Sequence, residues 1–138
     1  MTYIWINPVT EHMYQASALE SFLERHGLTR VRCRRDWGAV VREKYQNRAK
    51  ETRGTVVDAR CPMACKLAGE LTQNFAPGGG SGNFHIPDIE PILIHCAREI
   101  SAREDLKGSP KLITTPCQAL AEAGNALGLA DTRFLTWN

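Results

Sequence analysis

No stretch of this chain approaches the ~20 consecutive apolar residues of a membrane-spanning helix, so no membrane role is expected. The opening residues, Met1-Thr2-Tyr3-Ile4-Trp5-Ile6-Asn7-Pro8, lack both the basic and the apolar segment of a secretory signal. There is no large excess of charge: the formal balance is +2, too small by itself to mark a nucleic-acid binder. There is no internal repeat, and no linker separates two domains. An even cysteine count is missing too, since there are five. Without an export signal, five cysteines point to a reducing, cytoplasmic setting with free thiols or metal-bound thiolates.

What is present fits a globular chain of one domain over residues 1–138, with a longer parent chain left open. Hydrophobic residues make up 43% and charged residues 23%, which excludes disorder. Charge is uneven: residues 1–54 hold ten Lys/Arg against six Asp/Glu, the remainder seven against nine. The run Arg30-Val31-Arg32-Cys33-Arg34-Arg35 reads as an edge strand guarded by charge, or as a docking patch for an acidic partner.

Period and punctuation give the elements. Tyr3–Ile6 is a strand closed by Asn7-Pro8. Thr10 caps a helix to about His26, with Ala16, Leu19, Phe22 and Leu23 on one face and Gly27 as its stop. Thr29–Arg34 is a second strand. Asp36 caps a second helix, with Trp37, Val40, Val41 and Tyr45 inward. Thr55–Arg60 is a third strand, and Pro62 opens a third helix carrying Ala64, Leu67, Ala68, Leu71 and Phe75. A glycine-rich linker covers 76–83. Asp88 caps a fourth helix with Ile89, Ile92, Leu93, Cys96 and Ile100 on its face. Leu112–Thr115, a short helix around Leu120, Ala123 and Leu127, and Thr132–Trp137 complete the chain.

Alternating strands and helices imply an α/β fold: a three-layer, open, mainly parallel sheet of about five strands with helices on both faces. Ligands in such sheets bind beyond the carboxyl ends of the strands. Two segments share one build there, a buried strand leading through Cys61-Pro62 or Pro116-Cys117 into a helix. With both strands in one sheet, the two cysteines are expected at one edge. The segment 76–88, reaching about 40 Å when extended against ~17–20 Å for a typical strand, brings His85 to the same edge.

A thiol at a helix start is favoured as thiolate by the unsatisfied N–H groups and the dipole. Cys61 and Cys117 therefore read either as metal ligands or redox thiols, or as partly buried small hydrophobes. Cys65 lies one turn after Cys61 and either pairs with it or packs in the core. Cys33 and Cys96 read as core residues. His85 is a candidate ligand or a solvated loop residue. Asp58 pairs locally with Arg60 or assists a proton transfer. His95-Cys96 with Arg103 misses the spacing of a phosphatase loop by one residue and reads as helix.

At Arg60-Cys61-Pro62, Leu112–Thr115 and Pro116-Cys117 the chain resembles one lobe of the catalytic domain of iron-only ([FeFe]) hydrogenases, in a divergent and incomplete form. In that family a strand runs into Thr-Ser-Cys-Cys-Pro, a Cys-x-x-Pro step opens a helix, and a second strand runs into Met-Pro-Cys. Cys61-Pro62, His85-Ile86-Pro87 and Pro116-Cys117 repeat the order across about residues 55–120. The resemblance implies that Cys61 is a ligand of a cubane cluster, that Cys117 stands near a binuclear iron site, and that His85 takes the place of another cluster cysteine. It also implies what is missing. Arg60 replaces the proton-relay cysteine, Ile86 or another nearby apolar residue replaces the lysine that holds a diatomic ligand, and two cluster cysteines belong to a second lobe. The expectation is therefore a hydrogenase-like domain of a redox or iron–sulfur protein that does not turn over hydrogen alone. Cys61, His85, Cys65 and Cys117 would be its metal ligands, and a partner protein would supply a second lobe or electrons. Two alternatives stand beside it. One is a non-catalytic lobe serving as an interaction module. The other is a thiol redox protein using Cys61 and Cys117.

Overall fold

A computed structural model describes residues 1–74 and 84–137. Phe75 and the expected glycine linker at 76–83 lie outside the described residues. In chain order the elements are β1 (Thr2–Trp5), α1 (Pro8–Met13), α2 (Ala16–Arg25), β2 (Leu28–Arg30), α3 (Trp37–Glu51), β3 (Thr55–Val56), α4 (Pro62–Asn74), β4 (Phe84–His85), α5 (Ile92–Ala102), a 3-10 turn (Glu104–Leu106), β5 (Lys111–Thr115), α6 (Gln118–Asn125) and β6 (Thr132–Thr136). They fall into two compact units: Met1–Arg35 with Leu93–Asn138, and Asp36–Ile92.

The first unit is an open α/β sheet of four parallel strands in the order β2-β1-β5-β6. Ile4 lies opposite Leu112, Trp5 opposite Ile113, and Ile113 opposite Phe134. Side chains alternate along a strand, so Ile4 and Leu112 leave one face while Trp5, Ile113 and Phe134 leave the other. Leu19 and Leu23 of α2 bury Ile4 and Ile6 on the first face, with Leu28, Leu112 and Trp137 packed around them. On the second face Gly124 of α6 lies against the Phe134 ring. Asn125 then closes the outer edge of β6: its Nδ2 donates to the Phe134 carbonyl at 2.9 Å and its Oδ1 accepts from the Phe134 N–H at 2.8 Å. An exposed edge with unpaired backbone groups invites further strands, and this amide blocks one.

Three expectations change. The first helix is two helices, because Asn7 rather than Thr10 is the cap. Its Oδ1 accepts from the Thr10 N–H at 3.0 Å, Pro8 takes the first helical position, and Tyr14 is extended before α2 begins. The second strand ends at Arg30 instead of Arg34. The N–H groups of Arg34 and Arg35 donate to the Glu99 carboxylate at 2.9 and 3.0 Å, which pulls that backbone out of the sheet. The third expected strand is not in this sheet at all. Thr55–Val56 pairs in parallel with Phe84–His85 in a separate two-stranded sheet of the second unit, and the Val57 N–H extends the ladder to the His85 carbonyl at 2.7 Å. The first unit thus has four strands where about five were expected in one sheet.

The helix α5 starts at Ile92, after Pro91, and buries Leu93, Ile94, Cys96, Ala97 and Ile100. His95-Cys96 is helical, which removes the phosphatase-loop geometry.

The basic run is answered within the chain. Arg30 and Arg32 meet Glu11 at 3.1 and 3.6 Å, and Arg34 meets Asp105 at 3.1 Å. Burial pushes the Glu11 carboxyl up, but the guanidinium groups of Arg30 and Arg32 outweigh it and hold its pKa below the ordinary carboxylate value. A carboxylate with a depressed folded pKa adds stability above its unfolded pKa, and that stability is lost as pH falls through the folded one. Acid titration below about pH 4 should therefore weaken the wild type relative to Glu11→Gln, with the two converging at the acid end. Urea midpoints measured across that range check this. A constant gap between the two proteins would contradict it.

Candidate functional site

In the first unit the chain passes from β1 outward to β2, then returns to the other side of β1 for β5. The carboxyl ends of β1 and β5 therefore meet at the reversal of strand order, where this architecture opens a ligand crevice. Here that place is filled by the protein itself. The Thr114 hydroxyl donates to the Trp5 carbonyl at 3.0 Å and accepts from the Asn7 N–H at 2.8 Å and Asn7 Nδ2 at 3.0 Å. Asn7 Nδ2 also donates to the Thr10 hydroxyl at 2.9 Å. Asn7, Thr10 and Thr114 are at most 2% exposed. Sequence reasoning noticed Asn7-Pro8 only as a strand end. A short polar residue before proline, three residues ahead of a threonine, was the signal for this cap.

Beside that network, Cys117 heads α6 as its N-cap residue with extended backbone. Its side chain makes no cap hydrogen bond, and its carbonyl accepts from the Thr115 hydroxyl at 2.8 Å and the Ala121 N–H at 3.3 Å. The thiol is half-buried.

The other sequence candidates lie in the second unit. Asp58 turns the chain after β3: its carboxylate accepts from the Arg60 N–H at 2.9 Å and from Arg60 Nε at 2.7 Å, so Asp58 pairs locally. Burial pushes the Asp58 carboxyl up, yet the Arg60 guanidinium and N–H prevail and keep it below its ordinary range. The Tyr45 hydroxyl accepts from the Ala59 N–H at 2.8 Å and pins the same turn. Cys61 follows, exposed, and its carbonyl accepts from the Cys65 N–H at 3.0 Å in the first turn of α4. Cys65 is half-buried; burial, then the charges of Cys61 and Asp58, push its thiol up. His85 is exposed within β4 rather than in a loop before a helix.

The structure brings Cys61 and Cys65 together as one-turn neighbours. It places Cys117 in the other unit, at the end of a strand belonging to a different sheet. The expectation that Cys61 and Cys117 end two strands of one sheet is thereby corrected: β3 contributes only two paired residues, and its partner is β4. Among the described residues, no group of three or more His, Cys, Asp or Glu side chains is disposed to hold a metal ion. Two thiols one turn apart fall short of the four ligands of a structural or cluster site.

One further feature escaped the sequence reading, and one expected apolar face turns out to be open to solvent. A cavity of about 330 Å³ in the second unit is lined by Val41, Tyr45, Arg42, Val56, Asp58 and Arg60. On α4, Met63, Leu67 and Leu71 are 60%, 56% and 47% exposed. Spaced by four residues, they form a solvent-facing apolar stripe. Among the described residues, no helix is long and apolar enough to cross a membrane. No known family matches the chain, and comparison with curated proteins and with solved structures finds no match.

Proposed function

We propose that this chain is an iron-hydrogenase-like domain that works only with a partner protein, which it engages through α4. The observation that carries the reading is the apolar stripe Met63, Leu67 and Leu71 running beside the exposed start of α4, where Cys61 sits. Contiguous exposed apolar residues mark a surface meant to be covered, and no described side chain of α4 is fully buried. Cys61 and Cys65 are then carried to the border of the covered surface. They supply two thiolates to an iron–sulfur or other metal centre, and the partner supplies the remaining ligands. The described residues of this chain do not complete such a centre, so hydrogen turnover is not assigned to it.

The test is anaerobic capture from the cells that make the protein, with bound iron and acid-labile sulfide assayed. Wild type should retain a partner together with iron and sulfide. Leu67→Glu with Leu71→Glu should lose both. Cys61→Ser with Cys65→Ser should keep the partner and lose the metal. A partner held without iron by wild type would favour the pure interaction module, and a partner held equally by the Leu→Glu protein would refute docking through α4.

A further inference from the structure

Two cysteines that each read as core filler meet in the first unit. Cys33 lies just beyond β2 and Cys96 in the middle of α5, 63 residues apart in sequence. The Cys33 sulfur donates to the Cys96 carbonyl oxygen at 3.8 Å, and each thiol shifts the pKa of the other. Cys33 is half-buried, giving the pair access to solvent, and Cys96 is 6% exposed.

Their position gives the pair its interest. The chain leaves the first unit at Arg35 and re-enters it at Leu93. Cys33 and Cys96 sit on the outgoing and returning segments, both within the first unit. The surroundings hold those segments together. Glu99 accepts from the Arg34 and Arg35 N–H groups, Arg103 Nη1 donates to the Arg32 carbonyl at 2.9 Å, and Asp105 takes Arg34 at 3.1 Å and Arg103 at 2.8 Å. Four polar contacts thus tie the two segments that carry the cysteines, and Asp105 also holds Arg103 in place.

We propose that Cys33 and Cys96 are a redox-sensitive dithiol, which hydrogen peroxide converts into a disulfide across the base of the 36–92 excursion. The hydrogen bond from Cys33 holds the Cys96 thiol below its ordinary range; that same bond, with burial, pushes Cys33 up. One thiol of the pair attacks as thiolate. Its S–O bond forms as the peroxide O–O bond breaks, and the departing oxygen takes up a proton and leaves as water. The second thiol then attacks the resulting sulfenic acid. The S–S bond forms, the S–O bond breaks, and the hydroxide leaves with the second thiol's proton as a second water. The two thiols give up two electrons and the peroxide accepts them. The product ties the outgoing segment to the returning one covalently. This inference is independent of the docking and metal reading above.

The experiment treats the full chain with hydrogen peroxide and follows free thiols, a non-reducing peptide map and the thermal midpoint. Wild type should fall from five titratable thiols to three, yield one Cys33–Cys96 linked peptide, and melt at a higher temperature. A dithiol reductant should reverse all three changes. Cys33→Ser should lose the link and the thermal shift; since Cys33 is half-buried, this variant is the one expected to keep the fold. A map with no Cys33–Cys96 peptide, or one that joins other cysteines instead, overturns the proposal. So does peroxide that takes Cys96 only to the sulfinic acid.

Discussion

Thr114→Val should cost roughly 3–5 kcal/mol of folding stability, because one hydroxyl serves three buried groups and each orphaned group costs about 1–3 kcal/mol. Valine keeps the shape and removes the oxygen. The Trp5 carbonyl, the Asn7 N–H and Asn7 Nδ2 then lose a partner where no water reaches, since Thr114 is 0% and Asn7 2% exposed. The loss should spread to α1, because Asn7 Oδ1 caps that helix only while its amide is held in place. Thr114→Ser restores the hydroxyl and removes one methyl group, so it should lose only about 1 kcal/mol. Urea unfolding of the two variants measures the difference. A Thr114→Val loss equal to that of Thr114→Ser would mean that the network contributes little.

Gly124→Ala should destabilise the protein by about 2 kcal/mol through overpacking, reversing the usual sign. In a helix interior, alanine for glycine normally gains about 1 kcal/mol. Here the added methyl would overlap one edge of the Phe134 ring. The helix cannot back away freely, because Asn125 beside it holds both backbone groups of Phe134. Phe134→Leu should be costly alone but should relieve part of the Gly124→Ala loss, giving a clear coupling in a double-mutant cycle. Simple additivity would contradict the contact.

Both predictions depend on pairings between distant parts of the chain, and there the sequence was least legible. Helix faces were readable in part: Leu19 and Leu23, Val41, and Leu93, Cys96 and Ile100 are buried as their spacing implies, whereas Phe22, Leu67 and Leu71 on such faces are exposed. So were stops such as Gly27, whose φ of +65° suits a residue without a side chain. Lys111–Thr115, with the Cys117 junction into α6, also lies where its pattern places it. The failures share a cause. Thr55–Val56 reads as a buried strand, but nothing local in two residues states which strand completes its ladder. Placing it in the main sheet put Cys61 and Cys117 on one edge, and pairing with β4 undoes that edge. Arg30 to Arg34 has strand composition throughout, yet Glu99, far along the chain, takes the backbone N–H groups that a longer strand would need.

Alternation of strand and helix, the apolar periods and the turn residues were enough to make this an α/β chain with a parallel sheet, because those properties act over a few neighbouring residues. Partnership was settled only on folding. Hydrogen-bond ladders, the Asn7–Thr114 network and the Cys33–Cys96 contact join residues separated by long loops. Their choice rests on which burial and which hydrogen bonds are satisfied together, a property of the whole chain that no local pattern carries. The absences noted at the outset narrowed the classes of protein this chain could be. The thiols proposed as functional stand apart through their tertiary neighbours: Cys61 with Cys65 beside an open apolar stripe, and Cys33 with Cys96 where the chain leaves and re-enters its main sheet unit.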